Sequence, residues 1–204
     1  MKKQIVTISR EYGSGGRIIG SRLAKKMGVP YYDRQLLDKV AEESGFPRQL
    51  ITEDERMAKK GFLYALSMAF QGNSGANSNY LSTNEQFFLA QFDYIRKLAK
   101  EEESFVIVGR CADYMLRDIP DVTHLFVYAS EEDKLRRATT VYGLTEEDAK
   151  KIMPGMDKTR ANYYNYHTGQ VWGDYHNYDI SLDSGKIDED AAVELMLKYI
   201  ELKK

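Results

Sequence analysis

The chain has 204 residues, of which 43% are hydrophobic and 29% are charged, with a formal net charge of −2 at pH 7 and one cysteine. The slight negative charge gives no general attraction to nucleic acid or to an anionic membrane, and a single cysteine excludes an intramolecular disulfide. No apolar run approaches the ~20 residues of a membrane span. We therefore expect one cytoplasmic domain over residues 1–204.

The chain begins with a predicted strand, a glycine-rich loop and a helix. The β-rich run QIVTIS at 4–9 leads into SREYGSGGRIIG at 9–20, and apolar residues at helical spacing continue to Gly28, a good helix C-cap. The segment VPYYD is a second short strand, and its Asp33 is placed to N-cap a helix over 34–45.

The middle of the chain is predicted to be helical around one polar loop. Helices at about 48–59 and 61–71 precede a glycine- and asparagine-rich stretch at 71–84, which we interpret as a mobile loop. A long helix follows at 84–104, and its apolar face suits either the core or the seam of a homodimer. The apolar residues of that face are Phe87, Phe88, Phe92 and Ile95.

Strands and helices alternate through the second half of the chain. Strands are predicted at 105–109, 123–130 and 178–184. Ser130 gives a capping-box-like start to the helix after the second of these strands, and Thr145 begins the next helix. Five short apolar strands alternating with helices are typical of a central parallel sheet flanked by helices, so we predict an α/β fold.

The glycine cluster after the first strand has the composition of a phosphate-binding loop. Gly13, Gly15 and Gly16 let the backbone close around a phosphate, towards which loop amides and a helix N-terminus point. In the Walker A pattern GxxxxGK[ST], with Gly16 as the last glycine, Arg17 takes the place of the lysine and Ile18 that of the hydroxyl. Arginine can hold a phosphate, but isoleucine cannot ligate a metal. The alternative is a tight turn with an exposed arginine.

Five segments together carry a resemblance to a known family. They are IVTISREYGSGGRIIG, LAKKMGVPYYDRQLL, FVIVGRCADYML, MDKTRANYYNYHTGQVWGD and YDISLDSG. The series resembles the bacterial cytidylate kinase-like family, a branch of the P-loop nucleoside monophosphate kinases, over nearly the whole chain. The resemblance implies a P-loop NTPase fold and ATP- and Mg²⁺-dependent phosphoryl transfer to a CMP-like nucleoside monophosphate. It also implies a helical acceptor-binding subdomain at about 34–83 and a lid at about 144–176.

The resemblance implies that acceptor binding involves residues after the second and third strands. Asp33 matches the aspartate that opens the acceptor-binding segment, unless it serves only as a helix N-cap. Arg34 beside it either reaches an acceptor phosphate or lies in solvent. Gly109 and Arg110 match the first two residues of the G-R-D motif, whose arginine binds the acceptor phosphate. Val108 stands where true cytidylate kinases carry an aspartate before that glycine.

A charged pair near the end of the chain matches the kinase lid. Asp157 and Arg160 are three residues apart, share one face of a helix, and match a D-x-x-R motif whose arginine closes on the transferring phosphate. The alternative is a surface ion pair. Met153 stands where a further lid arginine is expected. By analogy with the family, Arg136 or Arg137 packs near the adenine or the phosphates, the alternative being exposed helix charges.

These matches give a set of candidate residues and three hypotheses. The predicted ATP-binding residues are Gly13, Ser14, Gly15, Gly16, Arg17, Ile18 and Arg136. The predicted catalytic residues are Arg17, Arg110, Asp157 and Arg160, and none is predicted to ligate a metal directly. A nucleotide-binding sensor without turnover is a second hypothesis, favoured by Ile18 and Met153. A kinase of a non-nucleotide small molecule is the third, favoured by Val108 and the loop at 71–84.

Overall fold

A computed structural model describes residues 3–45, 83–101 and 104–203. The helices predicted at 48–59 and 61–71, and the polar loop up to residue 82, lie outside the described residues. Thr83, which was assigned to that loop, already belongs to the long helix.

In the described part of the chain, five strands form one parallel sheet. They are Ile5–Arg10 (β1), Tyr31–Tyr32 (β2), Phe105–Val108 (β3), Val122–Tyr128 (β4) and Ile180–Asp183 (β5). Their order across the sheet is β2-β3-β1-β4-β5, and every neighbouring pair is parallel. This confirms the predicted α/β fold. Because β1 is central, its carboxyl end lies between those of β3 and β4, where ligands bind in open α/β sheets.

Helices connect the strands and flank the sheet. They are Gly16–Met27 (α1), Leu36–Ser44 (α2), Thr83–Glu101 (α3), Ala112–Met115 (α4), Glu131–Thr140 (α5), Glu146–Thr168 (α6) and Glu189–Leu202 (α7), with a 3₁₀ turn at Tyr175–Asn177. The predicted caps of three of them are present. Gly28 closes α1 in the left-handed conformation, Ser130 Oγ accepts from the Asp133 amide, and Thr145 Oγ1 accepts from the Asp148 amide.

The N-cap interpretation of Asp33 is wrong. The helix α2 begins at Leu36, and its N-cap is Gln35, which makes no side-chain cap bond. The Asp33 carboxylate instead accepts a hydrogen bond from Arg17 Nε at 2.6 Å. Because both groups of this bond are ionised, the Asp33 carboxylate gains a charge-assisted hydrogen bond and an ion pair with Arg17.

The apolar core lies between the sheet and the helices α1 and α7. Val6 and Ile8 of β1 pack there with Leu23 of α1 and Met196 of α7, all fully buried. The intervening β1 residues Thr7 and Ser9 are also buried but face the opposite side of the sheet. The face of β1 towards α1 and α7 is therefore apolar as far as Ile8, the residue two before Arg10. The opposite face carries the polar residues Thr7 and Ser9.

The chain divides into two compact units. The first comprises Met1–Asp33 and Ile95–Lys204, and the second comprises Arg34–Tyr94. In the second unit Phe87 and Phe88 are buried within the single chain, which favours the core interpretation of the apolar face of α3. None of the described helices is long and apolar enough to cross a membrane.

Candidate functional site

The loop between β1 and α1 adopts a backbone that glycine permits and other residues disfavour. Gly13 and Gly15 have φ of 81° and 78°, and Gly15 is the N-cap of α1 without a side-chain cap bond. The first amide groups of α1 are therefore available to an anion. Ser14, a predicted ATP-binding residue, is fully buried, and its Oγ donates to the Glu11 carbonyl at 2.9 Å. Its hydroxyl stabilises the loop from within.

Two residues that the sequence analysis overlooked attach this loop to the rest of the sheet. Glu11 Oε2 accepts from the Ala129 amide at 3.3 Å and pairs with Lys134 Nζ at 3.2 Å. Lys134 is buried, and a Cβ atom on Gly13 would lie 2.9 Å from the Lys134 Cβ atom. The first turn of α5 therefore packs directly against the loop, and the Glu11–Lys134 pair holds it in place.

A second attachment comes from Arg137 rather than from Arg136. The Arg137 side chain is 11% exposed, donates from Nη1 to the Gly13 carbonyl at 2.9 Å, and pairs with Glu189 at 3.4 Å. Arg136 is 63% exposed and pairs with Asp133 at 2.7 Å. Of the two arginines, Arg137 is therefore the one that contacts the loop.

Both arginines line a cavity beside the loop. Its volume is about 460 Å³, within the range of small-molecule sites. Its lining includes Arg136, Arg137, Thr140, Ser184, Lys186 and Asp188. Ser184 also donates from Oγ to the Ser14 carbonyl at 2.5 Å, so the cavity wall is continuous with the glycine loop.

The pair Asp157–Arg160 bonds to the loop as well as to itself. The two side chains are about one-fifth exposed, at 19% and 21%, and are 3.1 Å apart. Asp157 Oδ1 accepts from the Tyr12 amide at 2.7 Å, and Arg160 Nη1 donates to the Arg10 carbonyl at 3.1 Å. Burial raises the pKa of Asp157, which the Tyr12 amide and Arg160 oppose, and burial lowers the pKa of Arg160. The pair Asp157–Arg160 is therefore more than a surface ion pair, because it is mostly buried and bonded to the loop.

The turn after β3 has an uncommon backbone that carries Arg110. Gly109, Arg110 and Cys111 are three successive residues with positive φ, at 76°, 63° and 53°. Each non-glycine residue in this region costs on the order of 1 kcal/mol or more, and such strain concentrates at functional sites. The strain indicates that the position of Arg110 matters more than the backbone stability of this turn.

Beneath that turn lies a buried acid. Asp113 is 3% exposed, and its carboxylate accepts from Ser9 Oγ at 3.3 Å and from Tyr164 Oη at 2.7 Å. Burial raises the pKa of Asp113, whereas these hydrogen bonds oppose the increase. The network joins β1, α4 and α6, and two of these elements carry arginines of the site, Arg10 on β1 and Arg160 on α6.

The last residue of β1, Arg10, lies among these arginines. The pKa of Arg10 is lowered to about 9, first by burial and then by repulsion from Arg160, while Asp33 opposes both effects. Repulsion from Arg110 and Arg17 contributes smaller decreases. The sequence carried a signal for Arg10, because it is a charged residue at the end of an apolar central strand.

The predicted site residues that lie around the glycine loop all belong to the first unit. Arg17 is 62% exposed and leans towards Asp33, which is 9% exposed. Arg34 is exposed and belongs to the second unit, so its acceptor role stays a prediction.

The loop suits the phosphates of ATP, but the described residues do not form a magnesium site of protein ligands. Among them, no cluster of three or more His, Cys, Asp or Glu side chains could hold a metal. Ile18 has no donor atom, the Ser14 hydroxyl bonds within the loop, and Asp33 is paired with Arg17. Mg²⁺ often keeps its waters and binds chiefly to substrate phosphates, so no step below depends on a protein ligand to it.

Comparison with protein families gave a match over most of the chain. Residues 5–186 match the cytidylate kinase-like family. A search of curated proteins gave no match.

Comparison with solved structures gave matches over the whole length of the chain. An uncharacterized protein from Eubacterium ventriosum is 32% identical with a TM-score of 0.73, covering 98% of this chain and 99% of its own. Shikimate kinase from Bacteroides thetaiotaomicron is 11% identical with a TM-score of 0.55, covering 98% and 99%. A sugar kinase from a Janibacter species is 14% identical with a TM-score of 0.54, covering 98% and 96%. The last two likenesses show that the chain has the fold of P-loop kinases.

Proposed function

Because the chain belongs to the cytidylate kinase-like family, we propose that it transfers the terminal phosphoryl group of ATP to a CMP-like nucleoside monophosphate. One observation carries this proposal: Arg17, Arg110 and Arg160 lie around Arg10. Arg160 donates to the Arg10 carbonyl at 3.1 Å, and the Arg10 side chain runs from Gly16, next to Arg17, to Gly109, next to Arg110. These three arginines come from α1, the turn after β3 and α6, so distant parts of the chain concentrate positive charge beside one glycine loop. Phosphoryl transfer is catalysed mostly by positioning and by offsetting the negative charge of the phosphoryl oxygens.

In this proposal the donor lies along the loop and the cavity next to it. The amides at the start of α1 bind the phosphates, and the cavity of about 460 Å³ holds the nucleoside. Arg137 joins the two regions, because it lines the cavity and bonds to the Gly13 carbonyl. Mg²⁺ bound with the ATP would offset part of the negative charge of its phosphates, and no described residue is assigned to it as a ligand.

The acceptor lies on the other side of the loop, between the Arg17–Asp33 pair and Arg110. Its phosphate oxygen attacks the terminal phosphorus of ATP, a new P–O–P bridge forms, and the bond from that phosphorus to ADP breaks. Arg110 binds the acceptor phosphate, and Arg160 stabilises the charge on the transferring group. Both phosphates are anionic, so the guanidinium groups also offset the repulsion between the two substrates.

The test is acceptor-dependent ADP release with ATP and Mg²⁺ across CMP, dCMP, UMP, AMP, GMP and a pool of small hydroxylated metabolites that includes shikimate. We expect turnover with a nucleoside monophosphate and a loss of kcat of at least about 100-fold in Arg160→Met. Lys158→Met is the matched control, because Lys158 is an exposed cation on the same helix. Turnover with the pool of hydroxylated metabolites alone would show that the acceptor is not a nucleoside monophosphate.

A second candidate function is a nucleotide sensor. The observation that favours it is the buried Ser14 hydroxyl together with Ile18 in the usual hydroxyl position, which leaves the loop without a side-chain metal ligand. A sensor would bind ATP with a measurable heat but release no ADP with any acceptor. The cytoplasmic location, the homodimer, the acceptor-binding subdomain at 34–83 and the lid at 144–176 stay predictions.

A further inference from the structure

The side chain of Arg10 crosses the end of the sheet from the start of α1 to the turn after β3. A Cβ atom on Gly16 would lie 2.6 Å from Arg10 Cβ and 3.0 Å from Cγ. At the other end, a Cβ atom on Gly109 would collide with Arg10 Nη1. Two glycines on different elements are therefore needed to make room for this one side chain, whose guanidinium lies above the ends of β1 and β3.

Among the cations around the loop, Arg10 differs in having no counter-ion within the described residues. Arg17 pairs with Asp33, Arg160 with Asp157, and Arg137 with Glu189. No described carboxylate pairs with Arg10, and its enclosed Nε has no hydrogen-bond partner in the part of the chain that the structure covers. Arg10 as a whole is partly exposed, and an enclosed guanidinium nitrogen that lacks a partner is unfavourable for the fold. Its position is explained if the partner is an anionic substrate.

The start of α1 shows why this cation comes from the strand. In a Walker A loop the lysine that follows the last glycine reaches the terminal phosphates of the nucleotide. Here the first residue of α1 is Gly16, and Arg10 occupies the space that a side chain at that position would need. Arg17, the next residue, is 62% exposed and extends towards Asp33. Arg10 is therefore the cation that packs against Gly16, the first residue of α1, while Arg137 lies against the N-cap Gly15 and is paired with Glu189.

We propose that Arg10, and not Arg17, is the residue that binds the terminal phosphates of the donor nucleotide, in the role that a lysine has in a Walker A loop. Arg17 then belongs to the acceptor side of the site with Asp33. This assignment rests on the proposed function, because it requires a nucleoside triphosphate as the ligand. It also explains why the loop works with glycine at position 16 and why the turn at Gly109 carries no side chain.

The test is calorimetric titration of the full chain with ATP and, separately, with AMP, which lacks the terminal phosphates. We expect Arg10→Met to weaken ATP binding by at least about tenfold and AMP binding by less than about twofold. Arg10→Lys, which keeps the positive charge but not the planar guanidinium and its paired N–H donors, should recover part of the ATP affinity. Arg22→Met is the matched control, since Arg22 is a partly exposed cation on α1 whose partner is Asp190, and it should change neither affinity.

Thermal unfolding without nucleotide separates this role from a structural one. A structural arginine would lower the melting temperature when it is removed. Because Arg10 lacks a counter-ion among the described residues, Arg10→Met should instead leave the melting temperature unchanged or raise it by a few degrees. Added ATP should raise the melting temperature of Arg10→Met by less than it raises that of the wild type.

Three results would overturn the assignment. An unchanged ratio of ATP to AMP affinity in Arg10→Met would refute it, as would a selective loss of ATP binding in Arg17→Met alone. A large drop in melting temperature in both Arg10→Met and Arg10→Lys would make Arg10 structural. Wild-type protein that binds no ATP would refute the proposed function itself, and that result is distinguishable from the other three because it precedes any substitution.

Discussion

Removing the hydroxyl of Tyr164 tests whether the buried network beneath Arg110 supports the site. In Tyr164→Phe the Asp113 carboxylate loses its 2.7 Å hydrogen bond and keeps the longer 3.3 Å bond from Ser9. A buried acceptor that loses one partner costs ~1–3 kcal/mol. For a chain of this length each kcal/mol shifts the melting temperature by about 2–4 °C, so we expect a decrease of roughly 4–8 °C for a loss near the middle of that range.

The pH dependence of this decrease gives a second, independent readout. The Tyr164 hydrogen bond opposes the increase in the pKa of Asp113 that burial produces, so its removal raises that pKa further. A carboxyl group whose folded pKa is raised is most favourable when protonated, below its unfolded pKa, and that contribution is lost as the pH rises through the folded pKa. The deficit of Tyr164→Phe should therefore be largest at neutral pH and shrink as the solution becomes acidic.

Differential scanning calorimetry of wild type and variant from pH 4.5 to 8 measures both quantities. Tyr175→Phe is the matched control, because Tyr175 is 68% exposed and its ring contact with His176 survives the change. Since Asp113 lies under the turn of Arg110, we also expect the KM for the acceptor to rise more than the KM for ATP. A deficit below about 0.5 kcal/mol, within the usual range for a surface change, or one that grows towards acidic pH, would show that Asp113 does not depend on Tyr164.

Three further changes test other parts of the site and the fold. Gly16→Ala should weaken ATP binding by at least about tenfold in a calorimetric titration, because the new Cβ atom displaces Arg10; unchanged affinity would contradict the crowding argument. Asp33→Asn removes the ion pair of Arg17 and should raise the KM for the acceptor by about fivefold, with the KM for ATP changed by less than about twofold; the opposite pattern in steady-state kinetics would put Asp33 on the donor side. Burial lowers the pKa of His124 to about 4, so the wild type should lose roughly 3 kcal/mol of stability as the pH falls from ~6.5 to ~4. Urea unfolding at both pH values should show a smaller loss in His124→Gln, and equal losses would exclude His124 as the cause.

The order of strands and helices was predictable because local patterns and tertiary packing agree. Each strand is a short apolar run, and caps such as Ser130 and Thr145 are local sequence signals that need no knowledge of distant residues. The N-cap role of Asp33 failed for the opposite reason. Its partner, Arg17, lies sixteen residues earlier in the chain, so no local sequence pattern predicts that bond.

The site was predictable where one segment carries the whole feature, and it was missed where several segments meet. The glycine loop and the Asp157–Arg160 pair are contiguous motifs and were identified. Lys134 is a buried lysine within a helix that otherwise reads as an exposed, charged one, and it is enclosed only because α5 packs against the loop. Arg137 differs from Arg136 only in the face of α5 on which it lies, and the sequence could not say which face the loop would occupy.

The glycine loop and the helix α6 are connected by two opposed interactions. Arg160 donates to the Arg10 carbonyl, which holds α6 against the loop, while its guanidinium repels that of Arg10 and lowers the pKa of Arg10. An anion between the two guanidinium groups would remove the repulsion and leave the attraction, so binding of a phosphate and the contact between α6 and the loop would stabilise each other. The same arginine pair that is unfavourable without an anion would thus couple anion binding to the position of α6.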